Sequence, residues 1–164
     1  GGGGGGDSLF GGSGDDRLGL DWSSINLSRL DGGDGSDTVS FAGSSSNMTL
    51  SGSSFSNVLS NAEYLDFSNT SGTVNLSLGG DDIQKILTGS ASTSTYSGVL
   101  DVKFDTSGDS LALSATSGYS YWNAANNTQL TGTVSLSGLS TTGTDILVYD
   151  QNHAVLLATL HYHT

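Results

Sequence analysis

The sequence predicts an all-β protein, a short parallel roll of glycine-rich turns continuing into a β-solenoid or β-sandwich of short strands. Three observations lead there. A nonapeptide with fixed Gly and Asp positions occurs three times before residue 41. From residue 38, short runs alternating apolar and polar residues recur between Ser/Gly/Asn turns. Pro and Cys are absent from the 164 residues, and only 4 Lys+Arg oppose 16 Asp+Glu.

Residues 2–10 (GGGGGDSLF), 11–19 (GGSGDDRLG) and 32–40 (GGDGSDTVS) share the pattern Gly-Gly-any-Gly-any-Asp-any-apolar-any. The glycines allow positive φ, hence a tight turn with its carbonyls turned inward, and the Asp adds a carboxylate. Such hard oxygen ligands suit Ca²⁺, which takes six to eight oxygens at ~2.3–2.6 Å. The apolar residue two places on (Leu9, Leu18, Val39) starts a strand. Nine residues make half a circuit and 18 a whole one, yet the third copy follows the second by 21. Turn 11–16 is therefore expected to stack on turn 32–37, with three extra residues between. LDWSSINLSRL (20–30) would fill the opposite side, anchored by Leu20, Trp22, Ile25, Leu27 and Leu30. The expected ligands of the best-formed site are the carboxylates of Asp16 and Asp37, with Gly11, Ser13, Gly32 and Asp34 from the same turns. Asp7, whose opposite turn is replaced, would pair with an upstream repeat or with Asp21 and hold an ion more weakly. Stacked carboxylates repel, so the array should close only around an ion.

The first 37 residues hold seven of the Asp and 13 of the 25 Gly, which places a boundary near residue 40. Residues 1–40 form the roll and 41–164 a β-rich C-terminal domain. The six-glycine start reads as a cut inside a longer glycine-rich region. Strands are expected at 37–43, 47–52, 62–68, 72–78, 98–105, 109–115, 132–138, 145–150 and 153–163. Val74, Leu76 and Leu78 alternate with Thr73, Asn75 and Ser77, as in a sheet with one buried face. GGDDIQKIL (79–87) carries the one short helical signal, with Asp81 or Asp82 as N-cap.

Net charge is −12. Nucleic acid and anionic membrane surfaces are poor partners for such a polyanion, and a cation is a good one. Without Cys there is neither a disulfide framework nor a thiolate metal site. No apolar stretch approaches the ~20 residues that cross a bilayer, so no membrane insertion is expected. His161 and His163 share one strand face, a spacing that can bind zinc, but no Cys or Glu is near them in sequence. No Gly-x-Ser-x-Gly elbow appears, and Glu63 with Asp66 is a weak match to a glycosidase pair, so the chain is read as a non-enzyme. The aromatic run GYSYWN (118–123) suits either a sugar-binding groove or the edge of a sandwich.

The three nonapeptides resemble the calcium-binding repeat of RTX proteins, bacterial exports of the type I secretion route. The later order is similar to the region after the repeats in large RTX adhesins. SINLSRLDGGDGSDTVSFAG precedes NAEYLDFSNTSGTVNLSLGGDDIQKIL, and LDVKFDTSGDSLALS follows. Glu63, Tyr64, Leu65 and Asp66 match that family's acidic strand, and Asp105, Gly108, Asp109 and Leu111 its later hairpin. The resemblance spans roughly residues 2–115. It implies a secreted or cell-surface module that folds on meeting Ca²⁺ outside the cell and supports export through the type I exporter. Two other roles fit the same residues: a calcium-ordered adhesion module binding a surface glycan or peptide, and the C-terminal part of a secreted hydrolase.

Overall fold

A computed structural model describes residues 7–21, 29–43, 47–52, 54, 57–105, 109–131, 134–135 and 144–164. The protein is all-β, with one short helix among the described residues. The described strands form three sheets, which the chain visits in turn.

The first layer is β1 (Ser8–Ser13) and β2 (Arg17–Asp21). The second is β3 (Arg29–Asp34), β4 (Thr38–Gly43) and β5 (Asn47–Ser51). The third is β6 (Leu59–Ser60), β7 (Tyr64–Thr70) and β8 (Thr73–Gly79). The fourth replaces its first strand by helix α1 (Gly80–Thr88), followed by β9 (Val99–Lys103) and β10 (Ser110–Ser114). Each return lands parallel beside the strand before it, so β1-β3-β6, β2-β4-β7-β9 and β5-β8-β10 are three parallel stacks. β15 (Leu156–His163) adds a further parallel strand beside β9. β14 (Thr144–Asp150), β11 (Tyr119–Asn123) and β12 (Thr128–Leu130) then extend that sheet antiparallel. β13 (Val134–Ser135) pairs antiparallel with β10. Residue 40, where composition changes, lies inside β4, which joins strands from both sides of it.

Alternation sets the core. Leu65 and Phe67 of β7, Val74, Leu76 and Leu78 of β8, and Leu111 and Leu113 of β10 all point inward and are buried. Burying each such side chain contributes about 1.5–3 kcal/mol. Leu20 and Leu30 belong to this core, while Trp22, Ile25 and Leu27 lie outside the described residues. Like side chains meet across the layers: Phe41, where the β4–β7 register shifts, and Phe67 lie 4.4 Å apart and nearly parallel, and Phe104 continues the ladder at 5.8 Å.

Helix α1 packs over β6, covering a short edge strand with Ile83, Ile86 and Leu87. Its N-cap is Gly79 rather than Asp81 or Asp82. A side chain there would displace its neighbours, since a Cβ on Gly79 would come within 2.7 Å of Asp81 Oδ1 and overlap Thr116 Oγ1. Asp82 instead accepts the Gly79 N–H at 2.9 Å, and both acids favour the positive end of the helix dipole.

Candidate metal centre

The two complete glycine turns of the described residues lie one above the other. Ser8 pairs with Arg29, Gly12 with Gly33 and Arg17 with Thr38, a constant displacement of 21 residues through the turn. Stacking this close requires glycine. A Cβ on Gly33, whose φ is +100°, would overlap the Gly12 carbonyl oxygen, and one on Gly35, at φ +138°, would overlap that of Gly14. Cross-layer hydrogen bonds hold the turns together: Gly14 N–H to the Asp34 carbonyl at 2.7 Å and Ser36 N–H to Asp15 Oδ1 at 2.9 Å.

A column of carboxylates runs down one side. Asp37 Oδ1 accepts the Asp16 N–H at 2.9 Å, and Glu63 Oε2 accepts the Asp37 N–H at 2.7 Å. Each acid thus binds the backbone of the layer before it. The other oxygens of both aspartates, Asp16 Oδ2 and Asp37 Oδ2, are buried and have no hydrogen-bond partner among the described residues. Asp37 is wholly buried. Desolvated carboxylate oxygens without a donor are costly, and buried charges ordinarily have a partner or bind a metal.

Each orphan oxygen stands close to a main-chain carbonyl oxygen of the next layer, the two forming a cradle beside one glycine. The position of a Cβ on Gly11 would overlap the Gly32 carbonyl oxygen and lie 2.8 Å from Asp16 Oδ2. The position of a Cβ on Gly32 repeats this one layer on, overlapping the Asn61 carbonyl oxygen 2.5 Å from Asp37 Oδ2. Two equivalent cradles therefore follow one another, where the sequence suggests one. Asn61 takes positive φ (52°), and its side chain donates to Asp31 Oδ1 at 2.7 Å. That bond, reinforced by Arg29 against the opposing effect of burial, holds the Asp31 carboxyl below the usual range. Burial pushes the Glu63 carboxyl up, and the Asp37 charge adds to the rise.

Gly11, Gly32, Asp16 and Asp37 converge on these cradles. Ser13 and Asp34 pair with each other at the exposed end of the turns. Asp21 ends β2 beside Ala42, the far end of the strand from Asp16, and Asp7 precedes β1. Asn61 and Glu63 are absent from the ligand set read from the sequence. The signal for them is the triplet acid–any–apolar: Asp16-Arg17-Leu18, Asp37-Thr38-Val39 and Glu63-Tyr64-Leu65 stand in register. Asp66 serves elsewhere. Burial raises its pKa, but hydrogen bonds from Ser68 and from Arg17, 2.6 Å away, outweigh that and keep it low.

The aromatic run lies in β11. Tyr121 O–H donates to the Ser114 carbonyl at 2.6 Å, Tyr119 O–H to Gln84 Oε1 at 2.7 Å, and Trp122 stacks on His153 at 3.6 Å. These bonds tie β11 to the helix and to the end of β10. No described helix is long and apolar enough to cross a membrane. The chain matches no protein-family model, no curated protein and no solved structure.

Proposed function

We propose that the stacked turns are a calcium β-roll that continues into a parallel β-solenoid, and that the chain is a calcium-dependent folding module of an RTX-like surface protein. The observation that carries this reading is the pair of buried, unpartnered oxygens, Asp16 Oδ2 and Asp37 Oδ2, each facing a main-chain carbonyl. The donor set is all oxygen and net negative, which suits Ca²⁺ over softer metals. Asp16 with the Gly32 carbonyl would hold one ion, and Asp37 with the Asn61 carbonyl a second. A bound ion supplies positive charge to a column of acids that otherwise repel.

The chain's own residues do the rest. Glycines hold the layers close, Asp16 and Asp37 keep one oxygen each on the adjacent backbone, and the phenylalanine ladder gives the ordered turns a core to dock on. Ion binding to the folded state alone stabilises it by RT ln(1 + [L]/Kd), about 2.7 kcal/mol per site at a hundredfold excess over Kd. By the RTX resemblance the chain would stay open where calcium is scarce, inside the bacterium, and close outside, as export of an adhesin through a type I exporter requires. Thermal melts followed by circular dichroism, in chelator and in millimolar calcium, test this. A higher melting temperature and stronger β signal in calcium are expected, and identical melts would overturn it.

A further inference from the structure

We propose a second and chemically different metal site on the outer face of the large sheet: Asp101, His161 and His163 form a three-ligand centre for a divalent cation of the zinc class. It is independent of the calcium roll, and the order of strands in the sheet creates it. Parallel pairing of β15 with β9 sets His161 beside Asp101, and His163 two residues on faces the same way. On the other flank, antiparallel pairing with β14 sets Asp145 beside His161.

One ligand atom from each of the three residues lies within 4.8 Å of the others. His163 Nε2 is 2.8 Å from Asp101 Oδ1, and His161 Nε2 is 4.0 Å from Asp101 Oδ2. Donors on a tetrahedral zinc ion, with bonds of about 2.0–2.1 Å, stand about 3.4 Å apart, so small side-chain rotations would close the site.

The second nitrogen of each ring also has a partner. His161 Nδ1 contacts Asp145 Oδ1, and His163 Nδ1 lies 3.3 Å from the Thr164 carbonyl oxygen. Both partners can only accept a hydrogen bond, as can the Asp101 carboxylate at each Nε2, so each ring stands between two acceptors, and a neutral ring with its hydrogen on Nδ1 offers its Nε2 lone pair to a metal. Both Nε2 atoms face the Asp101 carboxylate, where a proton or a cation must stand between nitrogen and oxygen. A carboxylate behind a ligating histidine, as Asp145 stands behind His161, orients the ring and raises its basicity. Two nitrogens with one oxygen suit zinc-class ions and are a poor set for calcium.

The scaffold is rigid, because Leu100, Val102 and Leu160, which alternate with the ligands, are buried. Among the described residues, a groove of about 310 Å³ beside Asp101 and His163, bordered by Arg17, Tyr64, Asp66 and Lys103, leaves space for a water molecule as fourth ligand.

The test uses the full chain in millimolar calcium, which keeps the roll sites filled. Zn²⁺ is titrated by calorimetry and Co²⁺ by its visible d–d absorption. One ion per chain is expected, undisplaced by excess calcium, with cobalt bands typical of four or five ligands. The double variant His161→Ala/His163→Ala should lose at least a hundredfold in affinity while its calcium-dependent melt stays unchanged. Asp145→Ala should weaken binding about 10–100-fold. His153→Ala, which alters the histidine stacked on Trp122, should change nothing. Should the double variant fail to fold, the single variant His163→Gln carries the same expected loss. Absence of binding, equal binding by the histidine variants, or displacement by calcium would overturn the proposal and leave these groups as ion pairs pinning β15 to β9.

Discussion

Replacing Asp37 with Asn separates charge from shape at the centre of the stacked turns. Neighbouring strands lie about 4.8 Å apart, and two carboxylates at that distance repel by about 3.5 kcal/mol at an effective dielectric of about 20. Asp37 has such a neighbour on each side, Asp16 and Glu63, both only partly buried. Solvent screening at those partners lowers the relief expected from the neutral amide to about 2 kcal/mol. The amide keeps an oxygen for the Asp16 N–H, and its NH₂ replaces an oxygen that faces the Asn61 carbonyl. In chelator, Asp37→Asn should therefore melt higher than the natural protein by roughly 4–8 °C, given about 2–4 °C per kcal/mol for a chain of this size. In calcium it should gain much less if Asp37 is a ligand as proposed, because that charge is gone from its cradle. Melts of both proteins in chelator and across a calcium series provide the measurement. An Asn variant that melts lower in chelator yet retains the full calcium response would refute the reasoning.

Other expectations follow from the same contacts. Asp16→Ala removes a carboxylate whose free oxygen faces the Gly32 carbonyl, and calorimetry should find calcium binding weakened far more than in Asp7→Ala; the reverse order would overturn the placement of the site. Phe67→Ala opens a cavity in the middle of the phenylalanine ladder and should cost about 3–5 kcal/mol in urea unfolding with calcium present. Asp31 has a folded-state pKa below the unfolded one, so its contribution is present above about pH 4 and lost as pH falls through the lower folded value. Asn61→Ala removes the largest cause of that shift and should flatten the acid limb of stability, read from urea midpoints between about pH 5 and pH 2. Glu63 has the opposite sign: its raised pKa makes the folded state lose stability as pH rises through that value. Glu63→Gln should consequently raise the melting temperature in chelator at neutral pH, and an unchanged melt would count against a strained acid column.

Local rules were enough for most of the elements, although β6 and β12 were not among the expected strands. Alternating Val, Leu and Phe marks the strands because a residue's side of a strand depends only on its parity. The helix was legible from Ile83, Ile86 and Leu87, spaced to share one face. The spacing of 21 residues between turns matches the observed register because the turns have the same length, so residues at equal template positions meet.

Residues without a template could be placed only by the tertiary structure. The third layer of the acid column is Asn61-Ala62-Glu63, with no glycines, 26 residues after Asp37 at the acid and 29 after Leu30 at β6. Unequal loops hide that alignment until the strands pair. The Asp101–His161–His163 cluster is further from reach, since its parts lie about 60 residues apart in the chain. Sequence patterns report which face of a strand is apolar and are silent on which strands become neighbours. The order of strands in the large sheet is fixed by the closing of the core beneath it, and that order alone brings two carboxylates to the histidines that had none nearby in sequence.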